Sequence, residues 1–185
     1  MGNQRYAGGN NLLDAEHLLK DVLELPYGAR VGDLGCGSMA FFTLQAAKLV
    51  GDQGQIYACD ILKDVLSSVH SKAKQEGLYN IKTVWTNLEI VGAAKINEPL
   101  DYVFLVNTLF QSKAHQEMLK EAYRLLKDKG QLLLIEWKAS AGPVGPANDM
   151  KIPPALAEQL AAEAGFKKLK EFEAGQSHYG LIFEK

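Results

Sequence analysis

The sequence predicts an α/β fold with a mainly parallel, doubly wound sheet, and three observations support this prediction. Short apolar runs alternate with segments of helical periodicity along most of the chain, which is typical of βαβ units. The run "LDYVFLVN" is apolar almost throughout, as a strand covered on both faces should be. The last two apolar runs lie too close together for a parallel crossover, so they predict an antiparallel hairpin.

The individual elements follow from these patterns in chain order. Apolar residues at helical spacing predict a first helix over Asp14–Leu25, which Pro26 and Gly28 end. The strands predicted after it cover residues 30–34, 55–60, 80–86, 100–107 and 130–137. The helices that connect and follow these strands are predicted at 40–50, 62–77, 113–127 and 153–164.

The end of the chain carries a long loop and the hairpin. Residues 138–152, "KASAGPVGPANDMKI", are rich in glycine and proline and predict a loop. A loop of this length in a compact domain is more often a binding element than a plain connector, so we expect it to border a ligand site. The hairpin strands are predicted at 166–174 and 177–185, separated by Gly175 and Gln176.

Composition favours one cytoplasmic domain over residues 1–185. The formal net charge of −2 gives no overall attraction to nucleic acid or to an anionic membrane. No apolar stretch approaches the roughly 20 residues that span a bilayer, and the N-terminus lacks the pattern of a secretory signal. Cys36 and Cys59 are too few for a disulfide framework, and no Cys, His and acid cluster predicts a metal. We expect a small-molecule ligand, with the oligomeric state left open.

The stretch "VGDLGCGSMAFF" carries the strongest functional signal. Gly35, Gly37 and Ala40 satisfy the loose pattern G-x-G-x-x-G/A, and Asp60 ends the next predicted strand, as in dinucleotide-binding turns. Asp33 argues against a phosphate ligand, because a pyrophosphate in this turn would lie close to its carboxylate. A positively charged ligand would be stabilised by the same carboxylate.

S-adenosylmethionine meets this requirement. It keeps an adenosine whose ribose hydroxyls Asp60 could bind, and it carries a sulfonium and an α-ammonium group where a dinucleotide carries phosphates. The electrostatic sign therefore favours the methyl donor. A nicotinamide nucleotide and a purely structural turn stay open as alternatives.

Several segments together resemble the class I S-adenosylmethionine-dependent methyltransferases. They are "VGDLGCGSMAFF", "QIYACD", "LDYVFLVNTLF" and "LLKDKGQLLLIEW", in this order and spacing. The ending "AEAGFKKLKEFEAGQSHYGLIFEK" is similar to the small branch related to quinone-biosynthesis C-methyltransferases. The resemblance implies a Rossmann-like seven-stranded sheet of order 3-2-1-4-5-7-6, with only strand seven antiparallel and helices on both faces. It also implies methyl transfer to a small molecule.

The resemblance places the cofactor at the C-terminal ends of the strands. Asp33 and the turn formed by Gly35, Cys36 and Gly37 would contact the methionine end, and Asp60 would bind the ribose hydroxyls. The positions implied for the adenine and the donor methyl group are Ile61, Asn87, Leu88 and Asn107.

Three positions depart from the family's usual pattern. Met39 stands where a third glycine is common, Asn87 where many relatives carry Asp, and Phe110 where many members of this branch carry His. If Met39 narrowed the pocket, the chain would be a non-catalytic nucleotide-binding protein. An NAD(P)-dependent oxidoreductase that uses the same turn is the other alternative.

No residue is assigned a catalytic role, because methyl transfer from a sulfonium needs mainly alignment of the reactants. A structural role is favoured for His17, His70, His115, His178 and Tyr179. For Glu136, a role in lining the pocket and a role in pairing with a lysine are equally favoured. Aromatic walls for the methyl acceptor could come from Trp137, Phe110 and Tyr6, and residues 1–11 could fold over the cofactor as a lid.

Overall fold

The computed structural model describes residues 13–139 and 145–185, which form one seven-stranded sheet with helices on both faces. The strands are β1 (Arg30–Leu34), β2 (Gln55–Asp60), β3 (Ile81–Trp85), β4 (Leu100–Val106), β5 (Leu126–Trp137), β6 (Lys167–Glu173) and β7 (His178–Glu184). The helices are α1 (an α-helical turn Ala15–His17 continued by a π-helical turn Leu18–Val22), α2 (Phe41–Val50), α3 (Lys63–Gln75), α4 (His115–Leu125) and α5 (Pro154–Glu163). The predicted lid at 1–11, with Tyr6, lies outside the described residues.

The sheet order is β3-β2-β1-β4-β5-β7-β6, which confirms the predicted order. β7 runs antiparallel to both β5 and β6, and the other paired strands are parallel. Chain order therefore reverses between β1 and β4. In open α/β sheets, ligands bind in the crevice at the carboxyl ends of the strands at such a reversal.

The two faces of the sheet bury separate hydrophobic clusters. On one face, α1 and α2 pack over side chains that include Val31, Phe104 and Ile135, and α3 covers Ala58. On the other face, α4 and α5 pack over a cluster that includes Leu34. Because side chains alternate along a strand, Asp33 lies on the same face as Val31 and is directed towards α2.

Several element boundaries differ from the prediction by one or more residues, and three of these differences lie near a non-glycine residue with positive φ. The first helix stops at Val22 and not at Leu25, because Glu24 takes a left-handed conformation with φ 55°. Ala40, at φ 53°, precedes α2 and is not part of it. β5 begins at Leu126, before the predicted start at 130, and includes Lys129 at φ 61° within a stretch of irregular pairing with β4.

Among the helices of the described residues, none combines the length and the apolar character that crossing a membrane requires.

Leu133 tests how strongly the central strands hold the fold. Its side chain is fully buried in β5, so we expect Leu133→Ala to lower the free energy of unfolding by about 3 kcal/mol, through lost burial and a residual cavity. Leu169→Ala is the matched control, because Leu169 on β6 is 46% exposed and should cost less than about 1 kcal/mol. Urea unfolding of both variants measures the difference, and equal losses would contradict the burial assigned to β5.

Candidate functional site

The turn between β1 and α2 is held against the neighbouring strands by its backbone. The N–H groups of Gly35 and Cys36 both donate to the carbonyl oxygen of Cys59, at 2.8 and 3.1 Å. Gly35 has φ 81°, and a Cβ there would come within 2.6 Å of Thr108 Cγ2. Gly37 has φ 65° and would place a Cβ in open space. Gly35 therefore allows close packing onto the end of β4, whereas Gly37 leaves room beside the backbone.

A cavity of about 180 Å³ lies between this turn and the end of β4, at the reversal of chain order. Its lining is made by Asp33, Gly35, Cys36, Gly37, Phe41, Phe42, Val106, Asn107 and Gln111. Five of the predicted site residues are thus brought together around one space. A second cavity, of about 250 Å³, is lined by residues such as Tyr27 and Lys127 and by none of the predicted site residues.

Asp33 is a buried carboxyl group on the cavity wall. Its side chain is 3% exposed, and its Oδ2 accepts a 2.5 Å hydrogen bond from Thr43 Oγ1 on α2. Burial raises the pKa of Asp33 to about 6, the hydrogen bond from Thr43 opposes this, and the charge of Asp60 raises it further. A cationic ligand in the cavity would favour the ionised form.

Asp60 lies on the other side of the turn, at the end of β2. Its Oδ2 accepts from the N–H of Gly37 at 3.3 Å, and its Oδ1 accepts from the N–H of Leu62 at 2.9 Å. The carboxylate therefore connects the glycine turn to the start of α3. Ile61, the next residue, is 51% exposed and offers an apolar surface at the rim.

Asn87 and Leu88 lie near Asp60 and do not line the cavity. Thr86 N–H donates to the Asp60 carbonyl oxygen at 3.1 Å, which holds the segment after β3 beside the end of β2. The side-chain oxygen of Asn87 accepts from the N–H of Glu89 at 2.9 Å, and Leu88 is buried in the cluster under α4 and α5. Any contact that Asn87 makes with a ligand through Oδ1 would compete with this turn.

The end of β4 is shaped by an unusual backbone and a buried acid. Asn107 has φ 54°, and its carbonyl oxygen accepts from Gln111 Nε2 at 2.6 Å. Glu136 Oε1 accepts the N–H groups of three successive residues after Asn107, at 3.1, 2.8 and 3.4 Å. Burial raises the pKa of Glu136 to about 7, against these hydrogen bonds. Glu136 therefore holds the turn that carries Asn107.

The other candidate side chains occupy distinct environments. His17 accepts or donates a 2.9 Å hydrogen bond with Asp21, His70 is exposed on α3, and His115 begins α4. The hydroxyl of Tyr179 donates to the Ile152 carbonyl oxygen at 2.7 Å. These contacts are structural. Within 13–139 and 145–185, no three His, Cys, Asp or Glu side chains are grouped to hold a metal ion.

Some residues in or beside the cavity have roles that the sequence alone does not reveal. Thr43, Phe41 and Phe42 belong to a helical pattern, and only the close approach of α2 to β1 brings them to Asp33. Thr108 and Gln111 follow β4 in a segment whose conformation depends on Glu136, nearly thirty residues away. The only indication for Phe41, Phe42 and Thr43 in the sequence is that they lie in or next to the glycine-containing stretch that follows β1.

Known proteins are similar to this chain in sequence and in fold. A family model described as "Methyltransferase domain" matches residues 27–178. The ubiquinone/menaquinone biosynthesis C-methyltransferase UbiE of Neisseria meningitidis serogroup A is 28% identical over 158 residues, which covers 82% of this chain and 59% of that protein. The demethylmenaquinone methyltransferase of Geobacillus sp. (strain WCH70) is 31% identical over 112 residues, which covers 59% of this chain and 45% of that protein. The chain thus spans about half the length of these relatives.

A solved structure shows the same fold. It is described as a SAM dependent methyltransferase from Aquifex aeolicus, and it superimposes with a TM-score of 0.83 at 24% identity. The match covers 94% of this chain and 90% of the other.

The buried carboxyl group of Asp33 predicts that its contribution to the free energy of unfolding falls as the pH rises from about 4 to about 6. The folded-state pKa of Asp33, about 6, lies above its ordinary value of 3.8, so its contribution to stability is lost as pH rises through 6. We expect Asp33→Asn to be more stable than the wild type above pH 6, by up to about 3 kcal/mol, and to lose this advantage near pH 4.

Asp101→Asn is the control of opposite sign. Burial alone would raise the pKa of Asp101. The hydrogen bonds from the Arg30 N–H and from Lys127 outweigh this effect and keep the pKa of Asp101 below its ordinary range. This variant should be less stable than the wild type at neutral pH. Urea unfolding between pH 4 and pH 8 measures the stability of both variants. If Asp33→Asn were less stable than the wild type at pH 8, the raised pKa assigned to Asp33 would be wrong.

Proposed function

The chain belongs to the methyltransferase domain family, and from this premise we propose that it transfers a methyl group from S-adenosylmethionine to a small-molecule acceptor. The observation that carries the proposal is the buried Asp33 carboxyl group on the wall of a cavity at the β1–β4 reversal. A positively charged ligand in the cavity would stabilise the ionised form of this acid. S-adenosylmethionine supplies a methyl group on a positively charged sulfur and is such a ligand.

The residues around the cavity fit this cofactor. Asp33 would face its positively charged methionine end, and the open side of Gly37 would leave room for the ligand beside the backbone. The carboxylate of Asp60 would exchange its weak 3.3 Å contact with the Gly37 N–H for the ribose hydroxyls. Ile61 would cover the adenine with its exposed side chain. Asn87 and Leu88 would border the adenine at the end of β3.

A nicotinamide dinucleotide fits less well. The described lining of the cavity contains an acid and no Lys, Arg or His, so it offers no side-chain cation to a pyrophosphate. A pyrophosphate would also hold Asp33 in its protonated form. The electrostatics of the lining therefore favour the cationic cofactor over the oxidoreductase alternative.

A pocket narrowed by Met39 is also disfavoured. The Met39 side chain is 37% exposed and is absent from the described cavity lining, and its sulfur accepts a 3.7 Å contact from Lys72 Nζ. The departure at this position thus leaves the cavity open. This supports an active enzyme over a non-catalytic binding protein.

The protein's part in the reaction would be alignment and exclusion of water. Asn107 and Gln111 lie on the β4 side of the cavity, opposite the glycine turn, where the methyl acceptor would approach. Phe41, Phe42 and Val106 give this space apolar walls. Holding the acceptor atom in line in such a site supplies much of the acceleration when the leaving group is already activated.

The first test of this proposal is the contact between Asp60 and the ribose. We expect Asp60→Ala to bind S-adenosylhomocysteine at least about tenfold more weakly than the wild type, because two charge-assisted hydrogen bonds are lost. Asp64→Ala on α3 is the matched control and should bind like the wild type. Isothermal titration gives all three affinities. Equal affinity of Asp60→Ala and wild type would refute the site, and tight NADH binding would favour the oxidoreductase.

A second test uses the proton held by Asp33. Near pH 6, where its pKa lies, binding of S-adenosylmethionine should release about half a proton, because the cation drives the carboxyl group to ionise. The release should vanish at pH 8 and in Asp33→Asn. Titrations in buffers of different ionisation enthalpy measure it, and proton uptake at pH 6 would contradict the proposed electrostatics.

A further inference from the structure

The second cavity lies at the opposite end of the sheet from the cavity beside Asp33. Its volume is about 250 Å³, against about 180 Å³ for the cavity beside Asp33. Its lining comes from the segment before β1, the start of β4 and the irregular first part of β5. Because β1 and β4 are parallel, both strands run from the second cavity towards the first. The proposed methyl transfer uses none of the residues that line the second cavity.

Three polar side chains of this lining have no hydrogen-bond partner among the described residues. They are the ammonium group of Lys129, the hydroxyl group of Tyr102 and the amide group of Gln131. An ammonium group donates three hydrogen bonds and accepts none, whereas the hydroxyl and the amide can both donate and accept. The unused groups therefore offer more donors than acceptors, which favours an anionic ligand over a cationic one.

The charge of the lining has the sign that an anion requires. Asp101 is the one acid in the described lining, and both of its oxygens are occupied. Its Oδ1 pairs with Lys127 Nζ at 2.5 Å, and its Oδ2 accepts from the Arg30 N–H at 2.7 Å. With Lys127 and Lys129 against Asp101, the lining has one positive charge in excess. The cavity beside Asp33 has the opposite character, because its described lining contains an acid and no Lys, Arg or His.

The backbone of Lys129 singles this lysine out. It has φ 61°, in the left-handed region that favours glycine. Its N–H donates to the backbone oxygen of Lys185 at 3.3 Å, and the Lys185 N–H donates to the Gly130 carbonyl oxygen at 3.0 Å. Residues other than glycine that are held in this region cost stability and are concentrated at ligand sites. A lysine at this position is therefore better explained by what its side chain binds than by the turn itself.

Two tyrosines give the cavity a flat apolar surface. Tyr27 is 64% exposed, and its ring is nevertheless fixed in place. Its hydroxyl donates to Asp52 Oδ1, and the ring occupies the space that a Cβ would need at Gly51. Tyr102 is half-buried and packs against the cluster under α1 and α2. An exposed aromatic ring that is already immobilised suits the flat face of a small ligand.

We propose that the second cavity binds a small organic anion. Its carboxylate or phosphate group is bound by Lys129 and the Tyr102 hydroxyl, and its flat apolar part packs on Tyr27. The ligand is small, because the volume lies just below the range usual for drug-sized ligands. This site is separate from the cavity beside Asp33, and it does not depend on the proposed function.

An NMR titration of the full chain, labelled with ¹⁵N, tests the site. Phenyl phosphate and benzoate represent the two anionic groups, and phenol and benzylamine are the neutral and cationic controls. We expect at least one of the two anions to shift the backbone N–H signals of Gly28 and Gly130 saturably and to leave that of Gly37 in place. Phenol and benzylamine should not reproduce these shifts at equal concentration. Saturating S-adenosylhomocysteine should leave the response unchanged, because the two cavities lie at opposite ends of the strands.

Variants of Lys129 separate its side chain from its backbone. Lys129→Gly removes the ammonium group and suits the left-handed conformation, so the anion should bind at least about fivefold more weakly without a lower midpoint of urea unfolding. Lys129→Arg keeps the charge and should bind the anion like the wild type. Lys113→Gly is the matched control, because it removes an exposed lysine beyond the other end of β4 and should leave the affinity unchanged.

Four outcomes would overturn the proposal. Neither anion binds saturably, Lys129→Gly binds the anion as tightly as the wild type, benzylamine produces the same shifts, or S-adenosylhomocysteine displaces the anion. Inorganic phosphate that binds as tightly as phenyl phosphate would overturn the role of Tyr27 and with it the organic class of the ligand.

Discussion

Asp33 is buried at the end of β1 with its carboxyl group hydrogen-bonded to Thr43, and the arrangement around it depends on that burial. Alternation along β1 directs the side chain under α2, and the glycine turn that follows must curve back over the strand ends. The turn can do so because Gly35 packs onto Thr108 without a Cβ. Thus one acid, one turn and the end of β4 enclose a single space. Its electrostatic character is negative when Asp33 ionises.

A second buried acid sets the opposite side of that space. Glu136 has one carboxyl oxygen that accepts three successive N–H groups, and this holds the backbone after Asn107 in a short helical turn. Asn107 can therefore keep its positive φ, with Gln111 donating back to its carbonyl oxygen. The two acids lie on opposite faces of the sheet and perform different tasks. Asp33 determines which charge the cavity favours, and Glu136 determines the shape of its far wall.

The sequence predicted the fold more completely than the site. Strand type, the antiparallel hairpin and the order of the strands follow from local periodicity and from the resemblance carried by several motifs, and the structure confirms them. The sequence pointed to Asp33, Gly35 and Gly37, which line the cavity, because their pattern lies within a few consecutive residues. The roles of Thr43 and Gln111 could not be predicted, because they depend on tertiary contacts between distant segments. Glu136 was considered as a pocket-lining residue or as the partner of a lysine, and instead it accepts backbone N–H groups after β4. For His178 the sequence favours a structural role, and no local pattern predicts that both nitrogens of its buried ring lack a hydrogen-bond partner among the described residues.

The position of the last strand has a consequence for synthesis of the chain. β7 lies between β5 and β6, so a hairpin that follows β5 and α5 in the chain covers one edge of β5. Until the β6–β7 hairpin docks, the apolar segment Leu132–Ile135 has an unpaired edge, which is the kind of surface through which chains associate. Trp137 also meets His178 only at that stage. On the ribosome, a chain that has released β5 but not yet the hairpin would therefore expose this edge and be prone to aggregation.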